Sequence, residues 1–592
     1  MSRAITEWVS GPVIRARPEG TFVMREAVRI GEKGLLGEVI RIKQSEIVIQ
    51  VYEDTTGIRP GSLIEGEGQP LSIRLGPGIL GGTFDGLLRP ITEVNIDGAW
   101  VEPGSVKPVH ESYYFIPQIT NGNSLKAGAI IGVVKSDNGR DQHILIPPKV
   151  HGVVEDLVTE GNYKDNETLC FLTGEDGSRV AVSMVHNWSV RVPRPSLARI
   201  PSDEPMLTGQ RIIDCLFPIA RGGKAAIPGG FGTGKTVLLE SLAKSCNADV
   251  IVYVGCGERG NELAGLLEEF SQLEDPSTGR LLLERTVLIA NTSNMPVAAR
   301  EASIYTGVTV AEYFRDQGLD VALMADSTSR WAEALREVSG RLGELPGEGG
   351  YPAYLSSRLA DFYERAAKVT TLNGDRGSVT LIGAVSPPSG DFSEPVTSHT
   401  RRYIRCFWAL DVHRAQARFY PAIHPLHSYS TDADLLARWW HAEGCTRWHE
   451  FRLRFLTLLD EQAHLERMAR IIGKDAMPAH QRFVLMCAEL INEGFLRQSA
   501  FSEIDRSPSP ARQAVMMRII GNFILQSEEL VEKGVTPEAI SHLAVFRRLM
   551  RMSEDIADGE WEEFSELAIS LQKAMQELVD AEADSNQQQE GV

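Results

Sequence analysis

The chain has 592 residues, of which 43% are hydrophobic and 23% charged, so it can bury several ordinary cores, and its length predicts roughly three to five domains. Sixty lysines and arginines stand against 79 aspartates and glutamates, and the formal net charge of −19 opposes nonspecific binding to nucleic acid or anionic lipid. The longest apolar runs are far shorter than the ~20 residues of a membrane-spanning helix, so we expect membrane association only through partner proteins.

The N-terminal third is rich in β-strand signals. Its first segment, MSRAITEWVS, lacks a charged head followed by an apolar core, which predicts no secretory signal and a cytoplasmic location. Short β-branched runs broken by glycine, such as SEIVIQVYED, predict an antiparallel β-barrel over residues 1–75, followed by a glycine-rich connector over 76–110. The runs LKAGAIIGVV and HILIPPKVHGVV indicate an inserted β-rich module over residues 111–190.

Strands and helices alternate over residues 191–430. The runs DVIVYVG, RTVLIANTS, DVALMADSTS and GSVTLIGAVS are almost continuously apolar, as expected for parallel strands covered on both faces. This part of the chain is therefore predicted to be an α/β nucleotide-binding domain. Over residues 431–592 strand signals disappear, and the pattern predicts a C-terminal helical domain with a polar tail that frays. The seven cysteines form no CxxC pair, which is typical of a reducing compartment and argues against structural zinc.

The segment IPGGFGTGKTVLLES matches the phosphate-loop pattern GxxxxGK[ST] between an apolar run and a helical stretch. Glycines let backbone N–H groups turn toward phosphates, and the helix N-terminus adds a favourable dipole. Lys235 is expected to reach the β- and γ-phosphates, and the Thr236 hydroxyl to hold Mg²⁺. The alternative is a glycine-rich turn that matches by chance. The predicted nucleotide-binding residues of the loop are Gly229, Gly230, Phe231, Gly232, Thr233, Gly234, Lys235, Thr236 and Val237.

Two carboxylates follow predicted buried strands. Asp326 ends the run DVALMAD and is predicted to fix Mg²⁺, the alternative being a cap on the next helix. Glu258 and Arg259 follow DVIVYVG in CGERGNE, at the edge where open α/β sheets bind ligands. Glu258 is a candidate base or water-positioning residue, as hydrolysis requires, and Arg259 could stabilise phosphate charge. The alternative is a solvated pair on a loop.

The sequence resembles the catalytic A subunits of the vacuolar/archaeal-type rotary ATPases. The resemblance is carried by IPGGFGTGKT, VGCGERGNE, VALMADSTSRWAEALRE, PGEGGYPAYL and GAVSPPSGDFSEPVT in the α/β region. Outside that region LGPGILGGTFDGLLRP, IPPKVHGVV and IIGKDAMP also resemble the family, so the match covers nearly the whole chain. The block 111–190 would correspond to the insertion that separates these A subunits from their smaller relatives.

The resemblance implies roles at matching positions. Glu258 would be the catalytic carboxylate, Lys235 and Thr236 the phosphate and metal residues, and Asp326 the metal-side aspartate. Arg259 and Arg330 would be arginines of the phosphate region. For the adenine ring the resemblance implies Tyr420 in RFYPAIHP and Phe501 in RQSAFSEID, with Gln498 nearby. Stacking of this kind contributes roughly 1 kcal/mol; the alternative for the two aromatics is ordinary core packing.

The resemblance further implies ATP or ADP with Mg²⁺ as ligand, and ATP hydrolysis or synthesis coupled to H⁺ or Na⁺ transport. Noncatalytic B subunits in a three-plus-three A3B3 ring would be partners, one of them supplying an arginine across the site. Central and peripheral stalk subunits would connect the ring to a membrane rotor, so the chain would be cytoplasmic and peripherally membrane-associated.

Two other classes of protein fit the sequence less well. A ring-shaped helicase of the transcription-termination type should show basic residues interleaved with aromatics in its N-terminal domain, and the predicted barrel has no such cluster, so no nucleic-acid partner is expected. A noncatalytic B subunit should lack an intact phosphate loop and a Glu258 equivalent.

Three positions depart from the family pattern. Vacuolar members often carry a cysteine where this chain has Thr233, which makes redox control through that position doubtful. The adenine segment reads Tyr-Pro-Ala where A subunits typically have Phe-Pro. His424 and His427 have the spacing of metal ligands without an evident third ligand, which favours a structural or solvated interpretation.

Overall fold

The computed structural model describes residues 2–91, 111–135, 140–275 and 279–590. The chain divides into two compact units. The first unit runs up to Pro201 and resumes at Arg221–Ala226 and Ala248–Ile404, and the second consists of Ser202–Ala220, Ile227–Asn247 and the chain from Arg405 onwards. The second part of the predicted connector, residues 92–110, lies outside the described residues.

The described strands and helices follow one another from N-terminus to C-terminus as follows. The strands are β1 (Arg3–Ser10), β2 (Val13–Pro18), β3 (Glu26–Ile30), β4 (Leu35–Ile42), β5 (Ile47–Val51), β6 (Leu63–Pro70), β7 (Ser72–Leu75), β8 (Thr83–Phe84), β9 (Ser112–Pro117), β10 (Ser124–Leu125), β11 (Ile130–Lys135), β12 (Gln142–Leu145), β13 (Gly152–Glu155), β14 (Gly161–Lys164), β15 (Cys170–Thr173), β16 (Arg179–Val182), β17 (His186–Ser189), β18 (Ala198–Arg199), β19 (Lys224–Pro228), β20 (Val250–Cys256), β21 (Thr286–Asn291), β22 (Asp320–Asp326), β23 (Ala367–Thr370), β24 (Arg376–Val385), β25 (Cys406–Phe407) and β26 (Tyr429–Ser430). The α-helices are α1 (Lys235–Ser245), α2 (Gly260–Gln272), α3 (Val297–Arg315), α4 (Thr328–Arg341), α5 (Leu355–Tyr363), α6 (Pro395–Arg401), α7 (Val412–Gln416), α8 (Ala433–Ala442), α9 (Trp448–Ile472), α10 (Ala479–Glu489), α11 (Pro510–Glu532), α12 (Pro537–Ser541), α13 (Ala544–Asp555) and α14 (Trp561–Glu590).

The N-terminal strands form a closed barrel in the order β1-β2-β5-β4-β3-β6. Side chains alternate between the two faces of a strand, and the inward ones are small or β-branched. Ala16, Val28, Ile49 and Ile64 are buried in one common core. Closure pairs every strand on both sides and leaves no open edge. The predicted N-terminal β-barrel is confirmed.

The inserted module consists of two four-stranded antiparallel sheets, in the orders β10-β13-β15-β16 and β12-β11-β9-β14. A shared apolar core contains Phe115, Ile131, Ile144 and Leu172, all buried. The module therefore has a core of its own, as the β-rich pattern predicted.

A parallel sheet forms the centre of the first unit, with β24, β22, β20, β21 and β8 as successive neighbours. Every residue of β20 is buried, and in β22 only Asp320 is partly exposed, which explains why both runs are almost purely apolar. Helix α3 covers the sheet and is buried along most of its length. The register places Gly255 of β20 beside Asp326 of β22, so the carboxyl ends of the two strands lie side by side.

The second unit is mostly helical, as the C-terminal pattern predicted. Its core contains the stacked rings of Trp440 and Trp448, whose centroids are 5.9 Å apart. Two π-helical segments, Ile212–Leu216 and Leu490–Leu496, interrupt the α-helical pattern; such segments occur frequently at functional sites. Within the described residues, no helix combines the length and apolar character that a bilayer crossing requires.

Candidate functional site

The phosphate-loop motif of the second unit joins β19 to α1. Gly232 and Gly234 have φ angles of 75° and 84°, a left-handed conformation that glycine adopts without strain. At Gly229 the constraint is space, because a Cβ there would lie 2.5 Å from Thr233 Oγ1 and 2.9 Å from Leu410 Cβ. The glycine spacing of the motif therefore has a separate physical reason at each of these positions.

Lys235 points back into the loop. Its Nζ donates to the carbonyl oxygens of Gly229 and Gly230, at 2.7 and 2.9 Å. The Thr233 hydroxyl donates to Gly230 O at 2.8 Å. The ammonium group is thus held on the concave side of the loop at the N-terminus of α1, where both the charge and the helix dipole favour an anion. Phe231 lies at the tip, 97% exposed.

A cavity of about 890 Å³ adjoins the loop within the second unit. The three predicted base-side residues, Tyr420, Gln498 and Phe501, line it together with the loop residues Gly232, Thr233, Gly234 and Val237. Burial raises the pKa of the Tyr420 hydroxyl, so this ring stays neutral. Phe501 is 99% exposed, so its ring is accessible to a ligand. The core-packing alternative does not describe Phe501.

Gln498 lines the cavity, but its amide group is committed to the chain itself. Its Nε2 donates to Gly209 O at 2.7 Å and to Asp505 O at 2.8 Å. Its Oε1 accepts from the backbone N–H of Arg211 at 3.0 Å, and the side chain is 4% exposed. Gln498 therefore belongs to the frame of the cavity wall.

Sequence reasoning missed several cavity residues. Arg418 and Phe419 line the cavity beside Tyr420, and their place in RFYP was a signal that could have identified them. Glu493 and Arg497 form an ion pair of 2.8 Å at the cavity, which the i, i+4 spacing could have suggested. The residues from α13 that also line the cavity, Met550, Arg551, Ser553 and Glu554, carry no motif.

A second group of candidate residues lies in the first unit, at the carboxyl ends of β20 and β22. Asp326 ends β22 and is 2% exposed, and its Oδ2 accepts from the Tyr253 hydroxyl at 3.2 Å. The helix cap that the alternative assigned to Asp326 is supplied by Ser327, whose side chain accepts from Arg330 N. The Asp326 carboxylate thus contacts Tyr253 of the neighbouring strand β20, while Ser327 caps the helix that follows.

Glu258 reaches this group through a tight turn. Gly257 has a φ of 75°, and a Cβ there would lie 2.9 Å from Arg330 Cβ, so the turn requires glycine. Burial, the negative charge of Asp326 and a hydrogen bond with Glu262 together raise the pKa of Glu258 to about 7, against the opposing charge of Arg330. A carboxyl group with a pKa near 7 can exchange a proton at physiological pH.

The two arginines differ in their relation to Glu258. Arg330 influences the charge of Glu258 and donates through Nη1 to Glu333 at 3.0 Å. The Arg259 side chain is 71% exposed and lies 3.9 Å from Glu262. Arg330 thus belongs to the charged group around Glu258, and Arg259 extends toward solvent.

The histidines of the segment AIHPLHS form a packed pair in the second unit. The rings of His424 and His427 stack with centroids 4.1 Å apart. His424 Nδ1 accepts from the backbone N–H of Leu426 at 3.2 Å, and burial lowers the pKa of His424 to about 4. These contacts are those of two stacked rings in a turn.

Four family models match along the chain. They are the ATP synthase alpha/beta family β-barrel domain (residues 8–68), the alpha/beta subunit barrel-sandwich domain (108–191), the alpha/beta family nucleotide-binding domain (209–430) and the C-terminal domain of V and A type ATP synthase (438–540). Together with the phosphate loop, they define a nucleotide-binding chain of the ATP synthase alpha/beta class.

Curated relatives narrow this class. The A subunit of the A-type ATP synthase of Desulfurococcus sp. is 50% identical over 92% of this chain and 94% of its own. That of Methanopyrus kandleri is 47% identical over 97% and 98%, and the V-type ATP synthase alpha chain of Halothermothrix orenii is 46% identical over 96% and 97%. The chain belongs to the family of A subunits, or alpha chains, of the A-type and V-type ATP synthases.

A solved structure of the assembled ATPase EscN, from the type III secretion system of enteropathogenic E. coli, has the same fold over much of the chain. Its TM-score is 0.65, and the match covers 88% of this chain and all of that one. At 23% identity the likeness concerns the fold alone.

Proposed function

We propose that this chain is the catalytic subunit of an A/V-type rotary ATPase, which hydrolyses or synthesises ATP coupled to H⁺ or Na⁺ transport across a membrane. The observation that carries the proposal is the phosphate loop, with the Lys235 ammonium directed into it and a cavity of about 890 Å³, large enough for a nucleoside, beside it. Family membership over nearly the whole chain supports it.

Lys235 and the loop are proposed to bind the phosphates. The carbonyl contacts of the Lys235 ammonium keep it in place before a ligand arrives, and phosphate oxygens offer it stronger, charge-assisted partners. The backbone N–H groups at the start of α1 add donors that need no side chain. The loop therefore recognises the charge of the ligand, independently of its base.

The donors for Mg²⁺ are proposed to be Thr236 and Asp326. Mg²⁺ prefers oxygen ligands, of which it usually takes only a few from protein and the rest from water and phosphate. A hydroxyl at the start of α1 and a buried carboxylate at the end of β22 fit that preference in chemistry. When bound, the ion would neutralise charge on the phosphate oxygens.

Tyr420 and Phe501 are proposed to hold the adenine ring. Both line the cavity beside the loop, and the Phe501 ring is accessible. Stacking on aromatic faces tolerates different bases, because every base offers a π-surface. Gln498 contributes by keeping the wall in place.

Glu258 is proposed to orient or deprotonate the water that attacks the γ-phosphate, since its pKa near 7 suits a group that accepts a proton. Arg330, beside Glu258, and Arg259 are proposed to stabilise phosphate charge. In the synthesis direction the same carboxyl group returns the proton, because both directions pass through one transition state.

The partners are proposed to be noncatalytic B subunits in an A3B3 ring, central and peripheral stalk subunits, and through the stalk a membrane rotor. The relatives are named as single subunits of an ATP synthase, which supports membership of a multisubunit complex. The chain would then be cytoplasmic and peripherally associated with the membrane, without a nucleic-acid partner.

The test of the binding site is nucleotide affinity in the purified full chain. Lys235→Ala is expected to weaken Mg-ATP binding at least tenfold, because hydrogen bonds from a charged donor contribute about 1.5–3 kcal/mol. Lys244→Ala is the matched control, since Lys244 lies in the last turn of the same helix and outside the cavity. Unchanged Mg-ATP binding in Lys235→Ala would remove the phosphate-loop assignment.

A further inference from the structure

Arg211 is one of the largest fully buried side chains of the second unit, and the function proposed above gives it no role. It immediately precedes the π-helix Ile212–Leu216. A buried guanidinium group is strongly unfavourable unless its donors and its charge are satisfied. Its partners therefore indicate which part of the fold depends on it.

Within the part of the chain that the structure describes, the hydrogen-bond partners of the Arg211 side chain lie in one segment, residues 495–505. Its Nε donates to Phe495 O at 2.5 Å and its Nη2 to Arg497 O at 2.8 Å. Nη1 and Nη2 both bind the Asp505 carboxylate, the latter at 3.2 Å. Phe495 and Arg497 lie at the end of the π-helix Leu490–Leu496, where backbone carbonyls lack partners within the helix. Arg211 thus caps that helix from outside.

The other half of the ion pair fixes the residues that follow. Asp505 Oδ2 accepts from the backbone N–H of Ser499 at 3.0 Å, and Asp505 O accepts from Gln498 Nε2. The backbone N–H of Gln498 donates to Tyr420 O at 2.8 Å. The segment 495–501 is therefore held at its start by Arg211, in its middle by Asp505, and against the turn that carries Tyr420.

Phe501 depends on this arrangement. Its side chain is 99% exposed, so its position follows from the backbone of Gln498, Ser499 and Ala500, all of which line the cavity. The contacts of Arg211 argue against a direct role in phosphate binding, because its guanidinium group already binds Asp505 and two backbone carbonyls.

We propose that Arg211 is a positioning residue for the base-side wall of the nucleotide cavity. Acting through Asp505 and the end of the second π-helix, it holds the segment that carries Phe501 in register with the turn that carries Tyr420. The phosphate loop is stabilised by different contacts, those of Gly229, Gly230 and Thr233. The inference rests on the proposed function, since it assumes that the cavity receives the base.

The test compares two ligands on the full chain: Mg-ADP, which has a base, and Mg-pyrophosphate, which has none. In Arg211→Gln the affinity for Mg-ADP is expected to fall about tenfold, equivalent to about 1.4 kcal/mol, since stacking on a displaced wall is lost. The affinity for Mg-pyrophosphate is expected to stay within about twofold of that of the unaltered chain. The phosphate loop is held by contacts separate from those of Arg211, so the substitution should not disturb it.

Arg405→Gln is the matched control. Arg405 binds the buried carboxylate of Asp432 in the same unit, and neither residue lines the cavity. It is expected to change neither affinity. Arg211→Lys keeps the charge opposite Asp505 but loses the forked geometry of the guanidinium group. A smaller loss of affinity, confined to Mg-ADP, is therefore expected. If Arg211→Gln does not fold, Arg211→Lys is used for the test instead.

The outcomes separate the two proposals. An equal loss of both affinities would show that Arg211 has only a general structural role. No loss of either affinity would show that Arg211 does not position the wall. Either result overturns the inference. If the unaltered chain bound Mg-pyrophosphate as tightly as Mg-ADP, the cavity would not be a base site, and the proposed base-binding role would fail together with the inference. If the unaltered chain prefers Mg-ADP to Mg-pyrophosphate and Arg211→Gln keeps the same preference, only the inference about Arg211 is overturned, and the proposed base site stands.

Discussion

Replacing Glu258 by glutamine separates nucleotide binding from chemistry. The amide keeps the size of the carboxyl group and part of its hydrogen bonding but cannot accept a proton. Turnover in the assembled complex is expected to fall by about 10² to 10⁴, the usual contribution of a positioned general base, while the affinity for Mg-ATP changes little.

The same substitution should stabilise the fold. Burial and the Asp326 charge raise the pKa of Glu258 from 4.5 to about 7, so the ionised carboxylate opposes folding above pH 7, and this effect disappears below pH 4.5. The full difference corresponds to about 3 kcal/mol, which partial exposure to solvent reduces to roughly 1–2 kcal/mol. Glu258→Gln is therefore expected to be more stable than the unaltered chain at pH 8 and equally stable near pH 4.5.

Steady-state ATPase rates, nucleotide affinity and urea unfolding at both pH values provide the measurements. Glu269→Gln, in the helix α2 that follows Glu258, is a control for loss of a carboxylate, since Glu269 is not among the groups that shift the pKa of Glu258. Near-normal turnover in Glu258→Gln would refute the catalytic role. Equal losses of affinity and turnover would show that Glu258 acts in binding instead.

Three further outcomes are expected. Glu262→Gln removes a group that raises the pKa of Glu258, so the acid limb of the pH–rate profile should move to lower pH, and an unmoved limb would contradict the assignment. Tyr420→Ser should raise the KM for ATP more than it lowers kcat, because stacking is similar in ground and transition states, whereas a many-fold fall in kcat at constant KM would make Tyr420 structural or catalytic. Gly234→Ala should lower the free energy of unfolding by about 1–2 kcal/mol, since the φ of 84° at Gly234 is left-handed. Gly265→Ala, at an exposed position in the middle of α2, should instead raise the free energy of unfolding by about 0.5–1 kcal/mol. Equal effects of the two substitutions in denaturant unfolding would contradict this reasoning.

Much of the first unit could be predicted from the sequence, because its signals are local and periodic. The runs that became β20 and β22 are almost purely apolar, since the residues of both strands are buried on both faces of the parallel sheet. Their ends therefore marked where Glu258 and Asp326 lie. The phosphate loop could be predicted equally well, because Gly232 and Gly234 are needed for their left-handed φ angles, which do not depend on distant residues. Gly229 differs, since its space is also limited by the distant Leu410.

The base-side wall was less accessible to sequence reasoning. Gln498 was expected beside the adenine ring, yet its amide bonds to Gly209, Asp505 and Arg211. These partners are hundreds of residues away or lie across a turn, so no local pattern records them. The role of Arg211 is hidden for the same reason, although an arginine within the run QRIIDCLFP is an unusual residue among buried neighbours.

The assignment of the cap after β22 shows a limit of another kind. Asp326 and Ser327 are adjacent, and both residue types are good helix N-caps, so the sequence left open which one would serve. The structure assigns the cap to Ser327 and leaves the Asp326 carboxylate beside Tyr253.

The central claim is that the chain is the catalytic subunit of a ring in which a neighbouring B subunit completes the site. The most direct measurement compares the steady-state ATPase rate of the purified chain with that of the ring reconstituted with its B partner. A stabilising arginine supplied across a site contributes about 10³ to 10⁵ in rate, so the chain alone should bind Mg-ATP but turn it over slowly, and the ring should be faster by a factor of that order. Equal specific activity in the two, or stimulation by RNA or DNA in place of the B partner, would contradict the account.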